Sequence, residues 1–100
     1  MSKSVNIGAR DSVNKYHRQR SDSNQAGIVK ELRSIGCTVF VVSATCKMDI
    51  IVGWRGNNYL FEIKQPGKEL RASQKELHAS WNGQIDRAES FEDCMRIMED

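Results

Sequence analysis

No apolar run in this 100-residue chain approaches the ~20 residues a membrane-spanning helix needs, and no leader-like segment opens it. A cytoplasmic protein of a prokaryotic or phage-infected cell, with no membrane partner, is therefore expected. Cysteine is scarce: Cys37, Cys46 and Cys94 are odd in number and irregularly spaced, which excludes both a disulfide framework and a structural zinc site. His17 and His78 are too far apart in sequence to suggest a metal pair. There is no internal repeat and no low-complexity linker, so the length fits one domain that buries roughly two thirds of its unfolded surface.

Charge of one sign is also lacking, since the net charge is only +2, but the charges are unevenly placed. Residues 1–22 form a basic arm carrying Lys3, Arg10, Lys15, Arg18 and Arg20 against Asp11 and Asp22. Such an arm suits phosphate contact, because each neutralised phosphate releases counterions. Lys15, Arg18 and Arg20 are its candidate DNA-binding residues, and Lys68, Arg71 and Lys75 are candidates on the other side of the carboxylates discussed next. The remainder, 23–100, reads as the folded domain.

Hydrophobic periodicity predicts a helix over about 23–34, with Ile28, Leu32 and Ile35 on one face and Gly36 as its stop. Thr38 to Ser43 is an apolar strand, expected to be central and covered on both faces. A hairpin follows, formed by Asp49-Ile50-Ile51-Val52-Gly53-Trp54 and Tyr59-Leu60-Phe61-Glu62-Ile63. Centring its turn on Gly56-Asn57 pairs Trp54 with Tyr59, Val52 with Phe61 and Ile50 with Ile63, and places Asp49 opposite Lys64. Gln65-Pro66-Gly67-Lys68 is a turn, Ser73 to Glu76 has the form of a capping box, Ile85 to Ala88 is a short strand, and Ser90 caps a last helix with Phe91, Met95 and Met98 on its apolar side. The order is αβββαβα, an α/β sandwich with a mixed β-sheet flanked by helices.

Glu62 and Lys64, two apart in a strand, share a face, and Asp49 on the neighbouring strand reaches the same side. Two carboxylates about 5 Å apart repel unless a cation lies between them, and Mg²⁺ favours a few carboxylate oxygens. The plain alternative is a strand with an exposed Asp–Lys pair and a neighbouring Glu, worth little energetically.

From Asn24 to the C-terminus the chain resembles the VRR-NUC branch of the PD-(D/E)XK nuclease superfamily, its small stand-alone phage-type members in particular. The strings that carry the resemblance are Asn24-Gln25 ahead of Ile28-Val29-Lys30-Glu31-Leu32, Ile35-Gly36-Cys37, Asp49-Ile50-Ile51-Val52-Gly53, Phe61-Glu62-Ile63-Lys64 and Ser73-Gln74 with Trp81. The resemblance implies a restriction-endonuclease-like fold and a metal-dependent endodeoxyribonuclease, structure-specific for branched DNA such as a four-way (Holliday) junction and working as a homodimer. It implies that Asp49, Glu62 and the Ile63 backbone carbonyl hold Mg²⁺ or Mn²⁺, that Lys64 positions or deprotonates the attacking water, and that Gln74 supports the site.

Two departures stand out. Gln25 occupies the position of the family's helix glutamate, and an amide offers a carbonyl oxygen but neither charge nor basicity. Met48 stands where the family has proline before the aspartate. Glu31 does not replace the missing glutamate, because six residues beyond Gln25 it lies about 120° round the helix. The alternatives to a nuclease are a catalytically impaired DNA-binding module of the same fold and, from another class, a protein–protein adaptor without DNA affinity.

Overall fold

The computed structural model describes residues 23–43 and 47–100, and the basic arm with Lys15, Arg18 and Arg20, together with Cys46, lies outside them. Helix α1 (Gln25–Ser34) leads into strands β1 (Thr38–Val41), β2 (Ile50–Trp54) and β3 (Asn57–Ile63). Helix α2 (Ala72–Ser80), strand β4 (Asp86–Ala88) and helix α3 (Phe91–Met98) complete the expected αβββαβα order. The sheet runs β1-β2-β3-β4, antiparallel except for the parallel β3–β4 pair, and is therefore mixed.

Local chemistry accounts for the helix ends. Gly36 sits at φ +100, which lets the Gly36 N–H reach the Arg33 carbonyl and the Cys37 N–H reach that of Leu32. Both bonds satisfy carbonyls that the end of α1 leaves without partners. Ser90 Oγ accepts from the Asp93 N–H at 3.0 Å, and the Asp93 carboxylate accepts from the Glu89 N–H at 2.8 Å, so α3 is capped as its sequence suggests. α2 begins earlier than expected. Its N-cap is Arg71 rather than Ser73, because the Gln74 side chain, one turn in, accepts from the Arg71 N–H at 2.8 Å.

The core lies on one side of the sheet. Ile50, Val52, Phe61 and Ile63 meet Ile28, Val29 and Leu32 of α1 and Cys94 and Met98 of α3. Cys37 and Cys94 are both buried free thiols, and burial pushes Cys94 up to about 12. Among the described residues no helix is long and apolar enough to cross a membrane.

Two expectations need correction. β1 is an edge strand, not a central one: it pairs only with β2, ends at Val41, and leaves Phe40 66% exposed. Its apolar run reflects β-propensity rather than burial on both faces. The Arg33 guanidinium donates to the Val39 carbonyl at 2.9 Å, blunting that edge. The hairpin register also differs. Arg55 and Gly56 both have positive φ, 53° and 82°, and form the two-residue turn, so Ile50 pairs with Phe61, Val52 with Tyr59 and Trp54 with Asn57. Relative to the turn expected at Gly56-Asn57, every pair slips by two residues. A slip of two keeps each side chain on its face, which is why the apolar pattern could not detect it.

These burial differences set a direct test of packing. Leu32→Ala, at a fully buried position, should cost about 2–5 kcal/mol by urea unfolding. Phe40→Thr, on the exposed edge, should stay within about 0.5 kcal/mol of the parent.

Candidate metal centre

Asp49 is placed by an irregularity in the β2–β3 pairing. Phe61 is already paired with Ile50, yet its carbonyl also accepts the Asp49 N–H at 3.0 Å. Two residues of one strand thus oppose one of the other, the geometry of a β-bulge, which re-aims a side chain. Ile63, one pair further on, has no main-chain partner in β2. Its N–H donates instead to Asp49 Oδ2 at 2.7 Å, so the carboxylate takes the place of a ladder acceptor. The side chain is locked from both ends.

The expected pairing of Asp49 with Lys64 is replaced by closer company. Asp49 lies beside Glu62, near enough for a hydrogen bond between the two carboxyls. Glu62 is 2% exposed. Its Oε2 accepts from Gln74 Nε2 at 2.7 Å and lies 3.9 Å from the Lys64 ammonium, itself nearly buried. Its Oε1 is buried with no hydrogen-bond partner. Burial raises the Glu62 carboxyl most, the adjacent Asp49 charge and hydrogen bond raise it further, and Lys64 and Arg71 oppose them, leaving it at about 8. Without a cation, the pair holds a proton at neutral pH.

Of the other candidates, Gln74, Lys64 and Arg71 act on Glu62 directly. Asn24 is the N-cap residue of α1, but its side chain makes no capping hydrogen bond. Its amide donates to the Lys64 carbonyl at 3.1 Å and the Glu89 carbonyl at 2.8 Å, pinning the first turn of α1 to the end of β3. Gln25 follows on that turn, and its Oε1 is buried without a hydrogen-bond partner. The Asn24 clamp leaves no local signal in the sequence, because both acceptors are distant main-chain carbonyls. Of the three basic candidates, Arg71 acts electrostatically on Glu62. Lys75 is exposed and pairs with Glu69 at 3.3 Å, and the Lys68 carbonyl accepts from Arg87. His78, on α2, is held below its ordinary range by burial.

The donor set fits a hard dication. Among the described residues no three His, Cys, Asp or Glu side chains converge, so the charge available is that of Asp49 and Glu62 alone. Mg²⁺ commonly uses one or two carboxylates and completes its shell with neutral oxygens. The unpartnered Glu62 Oε1 is a desolvated carboxylate oxygen of that chemical kind. No protein-family model matches this chain, and neither a curated protein nor a solved structure matches it.

The buried acid gives the stability a definite pH dependence. Between its ordinary 4.5 and about 8, Glu62 keeps its proton in the folded chain and releases it on unfolding. Stability without divalent cations should therefore fall as pH rises through that window, by at most about 5 kcal/mol. Urea midpoints from acid to mildly alkaline pH should show the slope, and Glu62→Gln should flatten it.

Proposed function

We propose that this chain is a divalent-metal-dependent endodeoxyribonuclease of restriction-endonuclease-like fold, hydrolysing DNA phosphodiesters with a preference for branched DNA. The observation that carries the reading is the Asp49–Glu62 pair. A buried carboxyl, Glu62, is pressed against the half-buried Asp49, raised to about 8 and left with its Oε1 lacking a hydrogen-bond partner. A purely structural pair would be an expensive arrangement, since an apolar substitute is often neutral or stabilising. The mixed αβββαβα sheet, with the pair at the end of its central hairpin, is compatible with the fold named.

In this reading Asp49, Glu62 and the Ile63 carbonyl hold Mg²⁺ or Mn²⁺, with the Gln25 amide oxygen as a neutral fourth donor. The bound ion supplies Lewis-acid stabilisation of charge on the scissile phosphate and acidifies water. The chain's own groups do the rest. Gln74 keeps the Glu62 carboxylate oriented through its 2.7 Å hydrogen bond. The Lys64 side chain, its nitrogen 3.9 Å from Glu62, would position the nucleophile as the ammonium or take its proton as the neutral amine. Arg71, whose charge is felt at Glu62, offers a cation to the non-bridging phosphate oxygens. An isologous homodimer would present two such sites with the two-fold character of a four-way junction.

Gln25 favours a second reading, a DNA-binding module of the same fold with an impaired centre. Its amide gives the site one negative charge fewer than a glutamate would.

Nicking of plasmid and cleavage of a four-way junction, each with Mg²⁺ and with Mn²⁺, separate these readings. The parent should cut, Asp49→Asn should not, and Lys64→Ala should lose about 10²–10⁴-fold in rate. Cutting by Gln25→Glu but not by the parent would assign the chain to the binding module, and cutting by neither sinks the nuclease. Calorimetry should show Gln74→Ala weakening Mn²⁺ binding by about 10–100-fold.

A further inference from the structure

We infer that the open groove at the tip of the β2–β3 hairpin is a second contact for the DNA strand, with Arg55 as its phosphate-binding cation. The inference rests on the nuclease reading and adds to it a place where the substrate is held away from the cut.

The groove, about 370 Å³, is lined by Gly36, Thr38, Gly53, Trp54, Arg55 and Asn58, among others. Thr38, Gly53 and Asn58 are consecutive partners across β1, β2 and β3, so their side chains share one face of the sheet. Glu62 lies four residues from Asn58 on β3 and therefore on that same face, about 13 Å away along the strand. That is about four steps of a DNA duplex along its axis. The floor of the groove and the buried Glu62 thus lie in line on one face of the sheet, whereas Trp54 alternates onto the core face with Ile50 and Val52, so Arg55 stands at the hairpin tip where the two faces meet.

Arg55 is the residue that needs explaining. It occupies a two-residue turn at φ 53, the only positive φ outside glycine among the described residues. Turns of this kind favour asparagine at that place, because its side chain tolerates the left-handed region. An arginine there costs folding energy without adding a core contact, since it is exposed. Its guanidinium lies 4.1 Å from the centroid of the Trp54 ring. Stacking holds the planar group in position while its N–H donors stay available at the edge, the geometry suited to bidentate phosphate contact. Among the described residues no carboxylate pairs with it. Gly53 forms the floor, and the absence of a Cβ there leaves room between Thr38 and Asn58, both within 4 Å of where that atom would sit.

The test uses the full chain with Ca²⁺ in place of Mg²⁺, and a labelled four-way junction beside a linear duplex of the same arms. Arg55→Asn restores the favoured turn residue, so its Tm should equal or exceed the parent's. Its affinity for both DNAs should fall about three- to tenfold, and the slope of log K against log salt should shrink by about 0.9, one phosphate contact. Gly53→Val fills the groove from the strand, where a Cβ meets Asn58 Oδ1 at an ordinary 3.6 Å, and should weaken binding similarly. Unchanged affinity and slope in Arg55→Asn overturn the proposal. If that variant lowers Tm, Gly53→Val decides on the same criterion. A parent without salt-dependent DNA affinity overturns both this proposal and the nuclease reading. Weakened binding in Arg55→Asn, with no cutting by the parent or by Gln25→Glu in Mg²⁺ or Mn²⁺, keeps the groove and removes only the hydrolytic role.

Discussion

One hydrogen bond organises the candidate centre: the Ile63 N–H donates to the Asp49 carboxylate where the β2–β3 ladder runs out of main-chain acceptors. The strand end needs an acceptor, and the bulge supplies a side chain to provide it. The same bond fixes the Asp49 carboxylate against Glu62. Position at the site therefore comes from completing the sheet, not from packing of a flexible loop, and rigid elements hold functional groups more closely than loops do.

The consequence is an electrostatic conflict kept inside the fold. Glu62 is desolvated and faces a second carboxylate, and the Gln74 amide, the Lys64 ammonium at 3.9 Å and the Arg71 charge compensate it only in part. Such an arrangement destabilises the chain when empty of cations and favours whatever neutralises it, a proton or a dication. The core on the other side of the sheet, from Leu32 through Ile50 and Phe61 to Cys94, is apolar throughout and supplies the burial that tolerates the conflict.

A similar tension appears on a smaller scale at the hairpin tip. Arg55 adopts a backbone conformation that asparagine would take more easily, and its side chain is ordered on Trp54 rather than dispersed in solvent. Both departures from local preference, the bulge at Asp49 and the arginine in the turn, occur along one hairpin at its two ends. Departures of that sort tend to mark functional positions, because the surrounding structure must hold them in place.

The order of elements was legible in the residues themselves. Gly36 ended a helix because its φ is positive, Ser90 began one because its hydroxyl accepts the Asp93 N–H, and alternation separated Phe61 and Ile63 from Glu62 and Lys64. The proximity of Asp49, Glu62 and Lys64 followed from that alternation even though the pairing was misplaced by two, since parity survives an even slip. Composition could not tell an edge strand from a central one, so the run from Thr38 to Val41 was read as buried when only Val39 is. The Asn24 clamp, the bulge and the unsatisfied Glu62 oxygen depend on which distant main-chain groups come to rest beside them. Patterning of side chains determined the faces, and only the assembled sheet decided which polar atoms found partners, because that is settled by contacts between residues far apart in the chain.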